Sequence, residues 1–206
     1  VSGALSDRVT PAALKVAGMI LAAGESRRMG RPKALLPFRD GTFLSVLAGV
    51  FRPYCAPVIA VFGFDGENVG RSAPDTVLTV LNPDYRLGML TSLQAGLRAC
   101  PPDYEAVLFT LVDHPAVLPE TLQVLLKADA EIAIPRYRGR RGHPVFMRRA
   151  IAEQYLAEPL TAKVRDVIDR HAGSIRYVEV DDPGICDDVD DPALYEALLA
   201  REAART

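Results

Sequence analysis

The chain has no tryptophan and only three cysteines, Cys55, Cys100 and Cys186, in 206 residues. No two of them form a C-x-x-C pair, which argues against a zinc site and a disulfide framework and suits a reducing cytoplasm. No apolar run approaches the roughly 18 residues of a membrane span. Residues 1–15 lack a signal-peptide core and read as an extension ahead of the first strand, with a short helix at Pro11–Leu14. Charge is nearly balanced at a net −2, so there is no global electrostatic case for nucleic acid or membrane. An anionic ligand must therefore be held by local charge. Two common phosphate loops are missing as well. Gly24 and Gly30 are separated by five residues and Lys33 is followed by Ala34, which breaks Walker A, and there is no G-x-G-x-x-G. No Ser-His-Asp order is defensible, and the histidines lack H-E-x-x-H spacing.

What is present is a basic loop at a strand end. The apolar run Val16 to Ala22 reads as a buried strand. It opens into Gly24, Gly30 and Pro32 with Arg27, Arg28, Arg31 and Lys33. Small residues let a backbone approach a ligand, and loop N–H groups can form an anion nest. Arginine supplies a planar fork for phosphate oxygens and lysine a compact charge. Taken alone, a glycine-bearing basic loop is often only a surface turn. Three arginines and a lysine within about ten residues of a strand end make it a phosphate site.

Apolar strands then alternate with amphipathic helices. Thr42 caps a helix to about Phe51. Strands are expected at 57–62, 77–81, 106–111, 132–135, 143–147 and 175–180. Helices are expected at 92–99, 119–129, 148–156 and 161–171, and from Pro192. Residues 63–74 are a polar turn with a short helix, and 136–142 a basic loop. This order predicts an α/β fold with three layers, a mostly parallel sheet carrying helices on both faces. Residues 16–206 form one domain, with 136–160 as a substrate-side lobe. Ligands of such sheets bind beyond the carboxyl ends of the strands, where the basic loop, the Asn82 loop and Asp113 should meet.

Asp113 ends an apolar strand just before Pro115, so its carboxylate points into that crevice. A turn-forming or capping role is the plainer alternative, but magnesium favours one or two carboxylates plus phosphate oxygens. Asp187, Asp188, Asp190 and Asp191 form a second acidic run, of which most are expected to be solvated. Asn82 and Ser92 have the donors and acceptors to read a base edge, although Asn-Pro alone is a turn signal. A lone histidine such as His143 is more often structural than a ligand, His114 shares that status beside Asp113, and His171 reads as a helix C-terminal contact.

The stretch from Leu21 to Lys33 resembles the signature L-A-[AG]-G-x-S-x-R-M-G-x-x-K of nucleotidyltransferases of the molybdenum-cofactor type. Leu21, Ala22, Ala23, Gly24, Ser26, Arg28, Met29, Gly30 and Lys33 all match. Asn82, Gly88 and Ser92 match that family's base- and ribose-lining N-P-x-x-x-x-G-x-x-x-S stretch. Val112 to Pro115 looks like its metal-binding Asp turn, and 188–192 like its D-I-D-T-P segment. The 142–145 turn resembles its G-H-P-V. The resemblance implies the glycosyltransferase-A-like, nucleotide-diphospho-sugar transferase (Rossmann-like) fold and a Mg²⁺-dependent enzyme. In that reading Lys33, Arg28 and Asp113 are catalytic, and Asp113 with Asp188, then Asp190, holds Mg²⁺. Leu21 to Gly24, Ser26, Arg28, Lys33, Asn82, Gly88 and Ser92 bind the nucleotide. His143, His114 and Arg165 serve the acceptor, although residues 160–165 keep only Arg165 of the family's G-D-x-G-A-R and so leave the acceptor open. The best-fitting subgroup is the molybdenum-cofactor cytidylyltransferases, using CTP and a molybdopterin phosphate, with a molybdoenzyme or its maturation chaperone as a further partner. Ala23 leans towards CTP, since in this family glycine there goes with guanylyl transfer. The alternatives are the guanylyl enzyme, a transferase for a sugar phosphate or other small phosphate, and a non-catalytic cofactor-binding accessory protein.

Overall fold

The computed structural model describes residues 14–204, so the expected helix at 11–14 lies outside them except for Leu14. Ten strands are described: β1 Val16–Ala22, β2 Pro37–Phe38, β3 Gly41–Thr42, β4 Val58–Phe62, β5 Val77–Leu81, β6 Ala106–Leu111, β7 Ile132–Tyr137, β8 Arg140–Arg141, β9 Val145–Arg148 and β10 Ile175–Glu179. The helices are α1 Phe43–Phe51, α2 Gly66–Gly70, α3 Met89–Arg98, α4 Pro119–Lys127, α5 Arg149–Ala152, α6 Gln154–Ala157, α7 Val164–Arg170 and α8 Pro192–Ala203.

Eight strands make one sheet in the order β10-β7-β9-β6-β1-β4-β5, with β8 attached to β7; β2 and β3 form a separate ribbon. β1 sits inside, parallel to both β4 and β6. β9 runs antiparallel between β6 and β7, so the sheet is mostly parallel, as the β-α alternation predicts.

Each face carries its own core because successive side chains of a strand point to opposite sides. Val16 and Ile20 pack with Leu44 and Leu47 of α1, Leu122 of α4 and Leu198 of α8. Ala17, Met19 and Leu21 pack on the other face with Leu93 of α3, Tyr155 of α6 and Val167 of α7. Burying each large apolar side chain is worth about 1.5–3 kcal/mol. The cap of α1 is reciprocal: Ser45 N–H donates to Thr42 Oγ1 at 3.2 Å and Thr42 N–H to Ser45 Oγ at 2.8 Å.

Four local expectations need correction. α3 starts at Met89 rather than Ser92, because Gly88 at φ 125° turns the chain directly from a 3₁₀ turn into the helix. The basic segment 136–142 is a β-hairpin rather than a loop: Arg136 pairs with Arg141 and Tyr137 with Arg140, around Arg138 (φ 48°) and Gly139 (φ 81°). Two central residues at positive φ match the right-handed twist of the paired strands. The helix expected at 148–156 is two short ones, and that at 161–171 begins only at Val164.

Candidate active site

Beyond the ends of β1, β4 and β6 lies a cavity of 380 Å³. The basic loop forms one wall. Ser26 takes φ 51° and Gly30 φ 72°, and the N–H groups of Met29 and Gly30 both donate to the Ser26 carbonyl at 3.0 Å. Lys33 N–H donates to Ser26 Oγ at 3.3 Å. The loop is seated closely on its neighbours. A Cβ on Gly63 would lie 2.5 Å from Tyr85 and 2.7 Å from the Ala23 carbonyl.

Lys33 reaches from this wall to the acidic one. Its Nζ donates to Asp113 Oδ2 at 3.0 Å and to Asp190 Oδ1 at 2.5 Å, with only 10% of its side chain exposed. Arg28 also pairs with Asp190. Burial works against the Lys33 charge, but Asp113 and Asp190 outweigh it and hold its pKa above the ordinary lysine value. Burial would likewise raise Asp190, yet Lys33 and Arg28 keep it below the usual carboxylate range. Asp188 has weaker help, from the charges of His114 and Lys33 alone. Burial, then the charges of Asp113 and Asp190, hold its carboxyl above that range.

Oxygens of Asp113, Asp188 and Asp190 lie within 4.8 Å of one another. Asp113 Oδ1 is buried with no hydrogen-bond partner. Three hard oxygen donors, one of them buried and unpartnered, fit a divalent cation of the Mg²⁺ type. The other late aspartates have different work. Asp187 pairs with both terminal nitrogens of Arg201, at 2.8 Å for Nη1. Asp191 caps α8 by accepting from Leu194 N–H at 3.0 Å.

Leu21, Ala22, Ala23, Gly24, Ser26 and Arg28 line the cavity, and so do Lys33, Gly88, Ser92, Asp113 and Asp190. Asn82 does not. It is buried, and its side-chain amide donates to Thr91 Oγ1 at 2.9 Å and Ser92 Oγ at 3.0 Å while Oδ1 accepts from Asp84 N–H at 3.0 Å. With every polar atom of its amide engaged, Asn82 fixes the residue that lines the cavity instead of lining it. His114 and His143 are also outside the wall, their ring centroids 4.8 Å apart behind Asp113. Burial pushes the His143 imidazole down to about 3, with His114 adding to the effect. Burial also lowers His114, against the pull of Asp113 and Asp188. Arg165 is exposed on α7 and is not part of the cavity wall.

The pattern of the MobA-like NTP transferase domain matches residues 18–175. The chain belongs to this family. It is a nucleotidyltransferase of the MobA-like type. It is 30% identical over 178 residues to the molybdenum cofactor cytidylyltransferase of Escherichia coli (strain K12), covering 84% of this chain and 90% of that one. It is 34% identical over 135 residues to a probable molybdenum cofactor guanylyltransferase of Mycobacterium tuberculosis (strain H37Rv), covering 62% and 65%. The crystal structure of Rv0371c from Mycobacterium tuberculosis in complex with manganese superposes with a TM-score of 0.74 at 29% identity, over 91% of this chain and 99% of that one. A nucleotidyl transferase from Methanothermobacter shares the nucleotide-diphospho-sugar transferase fold, with a TM-score of 0.79 at 21% identity over 93% of this chain and 99% of that one.

Within this MobA-like site, sequence reasoning missed the apolar wall. Phe64 and Met89 line the cavity with Tyr85, though Phe64 is 43% and Met89 44% exposed. A large apolar side chain left open at a strand end is the signal that would have found Phe64. Asp182 was missed as well. Its Oδ2 accepts from Leu118 N–H at 2.9 Å and Thr121 Oγ1 at 2.6 Å, fastening the start of α4 to the chain ahead of the acidic segment. Among the described residues no helix is long and apolar enough to cross a membrane.

Proposed function

We propose that this chain transfers the cytidylyl group of CTP to a molybdopterin-type phosphate and releases pyrophosphate, with Mg²⁺ as its metal. The observation that carries the reading is Lys33 lying between Asp113 and Asp190 on the wall of one cavity. A cation beside two carboxylates is what a metal-bound triphosphate needs. Asp113, Asp188 and Asp190 would hold the divalent ion, which would share the charge of the phosphate oxygens. On nucleotide entry Lys33 and Arg28 exchange their carboxylate partners for phosphate oxygens. An oxygen of the acceptor phosphate attacks the α-phosphorus, and the bond to the β-phosphate bridging oxygen breaks. Lys33 and Arg28 neutralise the charge that develops on pyrophosphate. The acceptor is already an anion, so no strong base is required, and positioning and electrostatics supply most of the rate.

Ala23 lines the cavity and its methyl narrows the space beside the signature loop, which disfavours a purine. One methyl group is worth about 1–3 kcal/mol in discrimination. A guanylyl transfer is the second reading, favoured by the 34% identity to probable guanylyltransferases. The test is pyrophosphate release from CTP, GTP, ATP and UTP, each with molybdopterin and Mg²⁺. Release with CTP supports the proposal. Release with GTP alone overturns the base assignment, and silence with all four overturns the transfer itself.

A further inference from the structure

The turn Gly142-His143-Pro144 is placed where it can govern the acidic cluster from behind. His143 N–H donates to the Ile185 carbonyl at 3.0 Å, and Gly142 N–H to the Pro135 carbonyl at 3.1 Å. The approach to Ile185 is so close that a Cβ on Gly142 would sit 2.0 Å from its carbonyl oxygen. Ile185 is itself fully buried and lies three residues before Asp188. On the other side the His143 ring packs against Phe109 of β6, centroids 5.6 Å apart, and against His114 at 4.8 Å. His114 follows Asp113 in the chain, and its Nε2 stands 3.8 Å from Asp113 Oδ1. The strap is closed by Val189 N–H, which donates to the Asp113 carbonyl at 3.0 Å.

One residue therefore touches both segments that carry the carboxylate cluster, through Ile185 on one side and His114 on the other. Its backbone holds the segment bearing Asp188 and Asp190, and its ring supports the turn bearing Asp113. We propose that His143 is a positioning residue of the cation site: its ring and backbone together set the spacing of Asp113 from Asp188 and Asp190. The inference rests on the reading of that cluster as a cation site, and it gives the Gly-His-Pro turn work in cation binding rather than in holding the acceptor. The backbone bond survives any non-proline substitution, so the ring is the part a variant can remove. His143→Ala takes away the support beneath Asp113, whereas His143→Phe keeps an aromatic ring against Phe109 and His114.

The experiment measures Mn²⁺ binding to the full chain by the electron paramagnetic resonance of free Mn²⁺, and CTP binding in EDTA by calorimetry. Thermal melts confirm that each variant is folded. The expected result is a loss of Mn²⁺ affinity of tenfold or more in His143→Ala, CTP binding in EDTA within about twofold of the parent, and recovery to within about threefold of the parent's Mn²⁺ affinity in His143→Phe. A purely structural histidine would lower the melting temperature and leave Mn²⁺ affinity in the folded protein unchanged. Equal Mn²⁺ affinity in the parent and His143→Ala overturns the proposal. An equal loss in both variants overturns it too, since a ring nitrogen rather than the packing would then be responsible. If the parent itself binds no Mn²⁺, the cation-site reading falls, and this inference with it.

Discussion

Lys33 bridges two carboxylates, Asp113 and Asp190, so its removal acts on both rate and stability. Lys33→Ala is expected to lower turnover by about 10²-fold or more, the scale for losing one transition-state donor, measured as pyrophosphate release at saturating nucleotide. The same variant leaves Asp113, Asp188 and Asp190 facing one another without the ammonium, so Mg²⁺ should raise its melting temperature more than it raises the parent's. Asp188 behaves oppositely. Its carboxyl is held above the ordinary value of 3.8, so its ionised form weakens the metal-free fold. Between that raised pKa and 3.8 the folded chain binds more protons than the unfolded one, and stability from this group falls as pH rises. Asp188→Asn should therefore melt higher than the parent in EDTA at neutral pH, lose that advantage as the pH falls through the raised pKa, and bind Mn²⁺ poorly. A lower melting temperature for Asp188→Asn in EDTA would contradict the electrostatic account. Asp190 has the reverse sign: lowered by Lys33 and Arg28 against burial, it contributes stability above 3.8 that is lost as pH falls through its folded value.

The strands and the loops that follow them were legible because their chemistry is local. Val16 to Ala22 is uninterrupted and apolar, and small and cationic residues follow it at once. Asp113 sits at a strand end, so its direction was readable from the element alone. Where a residue's role depends on a partner far along the chain, the pattern was silent. Nothing near Asp187 announces Arg201, and nothing near Asn82 says that Thr91 and Ser92 take its amide protons. The G-H-P-V resemblance points His143 towards the acceptor, and its ring contacts with Phe109 and His114, both distant in sequence, are not readable from it. The start of α3 was misplaced because Gly88 looks like loop punctuation, when its unusual backbone is what launches the helix. At φ 125° and ψ 176° that backbone belongs to a region essentially reserved for glycine. Gly88→Ala is expected to cost about 1–3 kcal/mol, read by urea unfolding. It should also raise the nucleotide KM more than it lowers kcat, because the displaced turn carries part of the cavity wall. An unchanged KM would mean that α3 tolerates a later start.

The site draws on both ends of the described chain, with Lys33 paired to residues 80 and 157 positions away. A nucleotide or metal held there would therefore bind only a folded molecule, and ligand at 100 times its Kd should stabilise it by about 2.7 kcal/mol. CTP with Mg²⁺ is expected to raise the melting temperature more than GTP with Mg²⁺. Equal shifts for the two nucleotides would leave the Ala23 methyl without a role in base choice. The stretch from Asp182 to Asp191 makes a last point about this assembly. Its aspartates look interchangeable, yet one anchors α4, one holds Arg201, two join Asp113 in the carboxylate cluster and one caps α8. Such a segment works as a ruler with unequal marks. An extra alanine after Val189 would keep every acidic group and the net charge, but would carry Asp190 off Lys33 or pull Asp191 off the head of α8. Swapping an aspartate for glutamate at one mark damages one task; lengthening the ruler by a single residue shifts the remaining marks together.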